Sequence, residues 1–308
     1  MKAVICTKYG PPEVLQIKEV EKPVPRDNEL LIKVFATTAH IGDTRIRRAD
    51  PFLVRLMFGL FKPRKNYIPG IEISGEVESL GKNVRSFKKG DKVFGLTGFG
   101  GGGYAEYRCL PESVKEGTQE RKGQVVIKPE NLSFGEAAAV PAGALTVLKN
   151  MQKAKIKNGD KILVNGASGS LGTYAIQLAK MYGAEVTAVC SSQNFDLVQS
   201  LGADAVIDYT KEDFTKKNEK YDIVYDAVMK TTKGRCRAIL KDKGVFLNNN
   251  GLPKTVQNDL YILKELIEKK QFKPIIDRSY TLNEVVEAHR YVDKGHKKGN
   301  VVITVKHN

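Results

Sequence analysis

The chain has 308 residues, 41% hydrophobic and 28% charged, with 50 lysines and arginines against 35 acids for a formal charge of +15. That length suits two domains, and no run reaches the roughly 18 to 20 apolar residues of a membrane span; the most apolar stretch, AAAVPAGALTVL (137–148), is short and holds proline and glycine. The basic excess is mixed with acids, as in KEDFTKKNEKYD (211–222), which reads as a solvated face and not a nucleic-acid stripe.

In chain order, the start MKAVICTKYGPPEVLQI begins as a strand and lacks a secretory core and cleavage site, so a cytoplasmic protein is expected. Cys6, Cys109, Cys190 and Cys236 lie far apart, with neither a disulfide rhythm nor a CxxC metal spacing, and each is expected as a small buried hydrophobe. Strands are predicted at 2–8, 29–39, 75–81 and 91–97, with Asp43 as the cap of a helix TRIRRAD. The four glycines of FGGGGYAEYRCLP (99–111) make a turn before a further strand. From about 135 the period changes. Helical SFGEAAAVPAGALTVLKNM leads to strand 161–167, helix 170–182, strand 185–190, helix 195–202, strands 205–209 and 222–228, a helix near 231–240 and strand 244–249. Helices over 255–270 and 282–295 and a strand at 301–305 follow. Strands alternating with helices make a parallel, doubly wound sheet, because each parallel pair needs a crossover.

Between strand 161–167 and helix 170–182 the turn reads Ala167-Ser168-Gly169-Ser170-Leu171-Gly172. Against G-x-G-x-x-G, alanine replaces the first glycine; Gly169 lets backbone approach a pyrophosphate and Gly172 lets the helix pack on the sheet. The helix start then aims its unpaired N–H groups at phosphates. An acid at the tip of the second strand would grip the ribose of NAD, but Ser191, Ser192, Gln193 and Asn194 stand there. Their neutral donors suit a 2′-phosphate, which favours NADPH; they could also merely cap the next helix.

The whole chain resembles the medium-chain dehydrogenase/reductase superfamily, in its zinc-free NADPH:quinone oxidoreductase branch. The likeness rests on GPPEVLQIKEV, IPGIEISGEVESLGKNVRSFKKGDKVFG, AAAVPAGALTVL, VNGASGSLGTYAIQLAK, LGADAVIDYTKEDF and HKKGNVVITV. It implies an α/β architecture: a Rossmann doubly wound parallel sheet over 128–264, and a GroES-like β-rich catalytic domain built from 1–127 and the returning 265–308. It also implies that Tyr209 lies near the adenosine 2′-phosphate, that Ala227, Val228 and Asn300 meet the nicotinamide half, and that Thr146 stands beside the nicotinamide.

The superfamily's zinc enzymes take ligands from a G-H-E motif, which here reads Gly70-Ile71-Glu72, and the position of the first ligand carries His40. One histidine and one glutamate do not supply three protein ligands, so no metal is expected. Hydride transfer from NADPH to a quinone or enone needs positioning and a donor for the developing oxyanion. His40 is the candidate donor, or else a histidine bonded to backbone under the cofactor; Arg45, where some relatives have tyrosine, offers a cation. The aromatic, methionine-bearing segment 50–70 reads as a core-covering helix and loop in preference to a membrane contact, and it could also line an acceptor pocket. After Asn250 a loop and strand usual in the family, about 20 to 30 residues, is missing. That puts the family's homodimer in doubt, leaves a sheet edge uncovered and would displace Asn248 and Asn249. The expected protein is an NADPH-dependent quinone or enone reductase; a nucleic-acid-binding or cofactor-sensing protein on the same fold is the alternative.

Overall fold

Apolar residues at every second position of the first third do form strands in a computed structural model, which describes residues 1–64, 67–250 and 256–307. Strands β1 (Lys2–Cys6) and β2 (Leu15–Glu19) form an antiparallel hairpin. Then come β3 (Glu29–Thr38), α1 (Ile41–Arg48), α2 (Val54–Phe58), β4 (Glu72–Leu80), β5 (Lys92–Leu96), β6 (Tyr107–Pro111), α3 (Gln119–Lys122), β7 (Gln124–Ile127) and α4 (Phe134–Ala138). The middle of the chain holds α5 (Pro141–Ala154), β8 (Lys161–Asn165), α6 (Ser170–Met181), β9 (Glu185–Cys190), α7 (Phe195–Ser200), β10 (Ala205–Asp208), β11 (Tyr221–Asp226) and β12 (Leu240–Asn248). The last part holds α8 (Gln257–Glu268), β13 (Ile276–Thr281), α9 (Val285–Asp293) and β14 (Asn300–Thr304).

These elements divide into two units. The first, Met1–Ala142 with Lys254–Glu268 and Ile276–Asn308, is β-rich. Its main sheet runs β13-β14-β3-β4-β5-β7, with β6 also on β3. Leu30, Ile32, Ile73, Val93, Leu110, Val125 and Ile303 are wholly buried in its core, the alternate residues of their strands. The returning β14 is antiparallel to the end of β3, pairing Val302 with Thr38, and Ala39 N–H donates to Val301 O at 2.9 Å.

The second unit, Gly143–Pro253 with Lys269–Ile275, carries the expected parallel sheet in the order β10-β9-β8-β11-β12. Its central strands are continuous runs of buried Ile162, Leu163, Val164, Val186, Ala188 and Val224, as strands covered on both faces require. β12 is paired on one side only among the described residues, the open edge expected from the missing strand. Residues 251–255 of the departure noted after Asn250 lie outside the described residues.

Four expectations are corrected. The helix near 231–240 is only a 3-10 turn, Arg237–Ile239, since Thr231, Thr232 and Gly234 disfavour a helix. The helical run from Ser133 is two helices, the second starting at Pro141, where a missing N–H costs nothing. Asp43 is not a cap: α1 begins at Ile41 and His40 caps it. Cys109 is half-buried, whereas Cys6, Cys190 and Cys236 are buried as expected. No helix among the described residues is long and apolar enough to cross a membrane.

Candidate functional site

In the second unit the sheet order reverses between β8 and β11, and open parallel sheets bind ligands where the strand order turns back. The loops leaving these two strands meet there. Gly166 has φ 79°, and a Cβ on it would lie 2.3 Å from Val228 Cγ1, so the glycine turn and Ala227–Val228 are in contact. The two neighbouring glycines differ. At Gly172 a Cβ would fall 2.2 Å from Gly166 O and 2.6 Å from Ala167 Cα, so helix and turn touch backbone to backbone. At Gly169 a Cβ would meet only Gly166 O, at 3.5 Å, so this residue faces open space. Gly169 caps α6 in extended conformation, and first-turn N–H groups such as those of Leu171 and Gly172 have no acceptor within the helix. An open cradle beside free N–H groups fits a pyrophosphate. Ser168 and Ser170 flank it, half-buried.

At the tip of β9, Asn194 is buried and its Nδ2 donates to Ser168 Oγ (3.2 Å) and Ser191 Oγ (3.1 Å), while Oδ1 has no partner. The capping role open to this segment is not taken: neither Ser191 nor Asn194 makes a side-chain cap bond. An orphan buried acceptor between two hydroxyls is a place for ligand donors or, with the amide turned over, acceptors. Sequence reading found no acid here, yet the parallel register sets Asp208 opposite Cys190 and so brings a carboxylate beside this tip. Thr210 donates to Asp208 Oδ1 through its hydroxyl (2.7 Å) and N–H (3.0 Å), holding the carboxyl below its ordinary range. Lys211 Nζ stands 3.7 Å from Asp208 Oδ2, and Tyr209 beside them is exposed. Ala227 N–H donates to Asn165 O at 3.0 Å, and its carbonyl accepts from Asn249 Nδ2 at 3.1 Å. Asn249 Oδ1 accepts in turn from the Tyr225 hydroxyl at 2.6 Å, so Asn249 is tied to this loop. Thr146 lies half-buried on α5.

The first unit gathers the other candidates at the junction of β3 and α1. His40 Nδ1 accepts from Gly42 N–H at 3.0 Å, which leaves the proton of the neutral ring on Nε2. Burial, with the cations Lys297 and Arg45 adding to it, pushes His40 down to about 3, so the ring is neutral across the physiological range. Asp43, fully buried in the first turn of α1, accepts from Gly70 N–H at 2.8 Å, and burial pushes it up to about 7. Glu72 Oε1 accepts from Ala142 N–H at 2.7 Å and Oε2 from the Thr38 hydroxyl, and burial pushes it up to about 8. Lys297 joins this group: its Nζ donates to Gly299 O, and burial pulls it down to about 8. Sequence reading passed over Lys297 because nothing in HKKG tells which lysine turns inward; the pairing of β14 on β3 decides it. Arg45 is exposed on α1, and Asn300 is buried at the start of β14.

These groups do not fit zinc. Ile71 offers no ligand atom, His40 Nδ1 is committed to Gly42, and both oxygens of Glu72 accept hydrogen bonds. Among the described residues no three His, Cys, Asp or Glu side chains form a cluster able to hold a metal.

Residues 26–118 match the alcohol dehydrogenase GroES-like domain and residues 170–278 the zinc-binding dehydrogenase family. The 2-methylene-furan-3-one reductase of Solanum lycopersicum is 34% identical over 329 residues, covering 98% of this chain and 79% of its own. The chain belongs to the medium-chain dehydrogenase/reductase superfamily. A second superfamily member, the chloroplastic NADPH-dependent alkenal/one oxidoreductase of Arabidopsis thaliana, is 31% identical over 332 residues, 98% of this chain and 79% of its own. The solved quinone oxidoreductase from Coxiella burnetii superposes with a TM-score of 0.89 at 30% identity, covering 99% of both chains. The 332 aligned positions exceed the 308 residues here, so that superfamily member carries residues this chain lacks, in keeping with a segment missing after Asn250.

Proposed function

We propose that this chain is an NADPH-dependent, zinc-independent oxidoreductase acting on quinones or α,β-unsaturated carbonyls. The observation that carries the reading is the turn Gly166–Gly172 at the switch point, open at Gly169 and closed by backbone contact at Gly172. NADPH held there supplies a hydride, and a conjugated acceptor takes up the charge in its own carbonyl, so no Lewis acid is required. Ser168, Gly169, Ser170, Leu171 and Gly172 hold the pyrophosphate; Ser191, Asn194 and Tyr209 receive the 2′-phosphate end. Ala227, Val228 and Asn300 serve the nicotinamide half, with Thr146 beside it. His40 donates Nε2–H to the acceptor's oxygen as negative charge develops, and Arg45 adds a cation. A ring that stays neutral stabilises this oxygen without giving up a proton, so the proton comes from solvent. The activities named for the relatives support the acceptor class. Mixing the protein with NADPH and a panel of small quinones and enones, and following the reduced-cofactor absorbance, tests the reading. Tight NADPH binding without turnover on any of them defeats it.

Two expected results follow from the same geometry. His40→Ala lowers kcat about 100- to 1,000-fold, the range of a lost oxyanion donor, with NADPH affinity unchanged. In the parent any step in the kcat profile between pH 5 and pH 8, as read by stopped-flow, belongs to Asp43, Glu72 or Lys297 and persists in His40→Ala, because His40 titrates at about 3; a step near 6.5 that His40→Ala removes would contradict the neutral ring. At the strand tip, Asp208 opposes a 2′-phosphate and Lys211 attracts it. Asp208→Asn therefore shifts preference toward NADPH over NADH by about fivefold, and Lys211→Ala shifts it the other way by less, because that lysine is exposed. Titration of both nucleotides by fluorescence checks the pair, and unchanged ratios would remove Asp208 from the cofactor site.

A further inference from the structure

Read as a core-covering helix and loop, segment 50–70 holds only in part. Val54 and Phe58 turn inward onto the core, with Phe58 6% exposed. The opposite side of the same turn and the loop after it stand in solvent: Phe52, Leu53, Leu56, Met57 and Leu60 are exposed, Leu56 at 69%, and Phe61 reaches 87%. Single exposed apolar residues are ordinary, but six large ones within ten positions are a patch, and patches of that kind mark interaction surfaces. The loop is held in shape. Arg64 Nη2 donates to Met57 O at 2.9 Å, the Gly59 N–H to Arg55 O at 2.8 Å, and the Arg55 guanidinium lies 5.1 Å from the Tyr9 ring and 5.3 Å from that of Phe52.

Charge decides the occupant. From Arg45 to Arg64 there are six basic residues and one acid, Asp50; Arg45, Arg48, Lys62 and Arg64 are exposed, with Arg48 3.8 Å from Asp50 and 3.7 Å from Asp293. A second copy docking by the same face would set these cations against each other. The complement is a surface that is apolar below and negative above. We propose that the Phe52–Phe61 face docks the protein reversibly onto an anionic lipid bilayer, the apolar side chains entering the acyl boundary and Arg48, Lys62 and Arg64 meeting the headgroups. The short apolar run makes this an interfacial contact and not a span, and it goes beyond the reductase reading, on which it does not depend.

Sedimentation of the full chain with vesicles tests it. The protein is expected to pellet with phosphatidylcholine vesicles containing about 30% phosphatidylglycerol, to stay in solution with phosphatidylcholine alone, and to be released by high salt. Leu56→Ser/Phe61→Ser is expected to lower the bound fraction about tenfold or more, with thermal unfolding and NADPH binding unchanged because both side chains are exposed and contribute little to the core. Lys62→Glu is expected to weaken binding to the anionic vesicles alone. Failure to bind anionic vesicles, equal binding to neutral ones, or parent-like binding by the double variant overturns the proposal. So does a solution dimer that the double variant disperses while vesicles bind neither form.

Discussion

Gly172→Ala is expected to destabilise the second unit by about 3 kcal/mol and to abolish NADPH binding, whereas Gly169→Ala leaves stability within about 0.5 kcal/mol and weakens NADPH about tenfold or more. The methyl at 172 would overlap Gly166 O and Ala167, which are backbone atoms of the turn itself and cannot swing aside as a side chain can. Helix α6 must then separate from the turn, and the cradle opens. At 169 the backbone is extended, φ −77° and ψ 175°, where alanine is at ease, and the nearest atom is 3.5 Å from the added carbon. The methyl fits the free protein and intrudes only where a phosphate would come. Thermal unfolding and calorimetric NADPH titration of the two variants separate the packing glycine from the ligand glycine. Parent-like affinity in Gly169→Ala would refute the phosphate site.

Arg47→Ala is expected to cost the first unit about 3 kcal/mol, while Arg47→Met combined with Asp293→Leu stays within about 1 kcal/mol of the parent or exceeds it. Arg47 is fully buried, its Nη1 donates to Gly10 O at 2.8 Å, and its Nη2 is bonded to the carboxylate of Asp293. One side chain of α1 thus ties down the β1–β2 connection and the end of α9. Removing the cation alone strands a largely buried carboxylate, relieved in part by Arg48 at 3.7 Å. Replacing both ions by apolar groups removes the desolvation penalty along with the attraction. Urea denaturation of the single and double variants measures the difference. A loss well under 1 kcal/mol in Arg47→Ala would show that water already compensates the pair.

Much of the architecture is legible along the chain because its causes are local. Period-2 runs such as 29–38, continuous apolar runs such as 161–165, and Gly169 and Gly172 between strand and helix each report a backbone requirement met within a few residues. Local rules failed where a nearby competitor won. Asp43 has the chemistry of a cap, but the imidazole of His40 sits one turn earlier and takes Gly42 N–H, freeing Asp43 to bond Gly70 across the unit. The helix expected near 231–240 gave way to Gly234 and two threonines. The polar groups around His40 and the strand tip were only partly visible for another reason: the charge of Lys297 is felt at His40 and Glu72 through the pairing of β14 with β3, and Asp208 comes beside the tip of β9 through the parallel register.

Composition and periodicity, then, determined the two kinds of sheet and the glycine turn between strand and helix, because steric limits on φ and ψ and the burial of alternate side chains act over a few residues at a time. Tertiary structure alone decided that His40 is neutral with its proton on Nε2, that Glu72 and Lys297 share its surroundings, that a carboxylate stands beside the neutral strand tip, and that the apolar side chains of 52–61 face water. Each depends on which distant strands pair, in what register, and on what remains uncovered afterwards, and no local pattern carries that information.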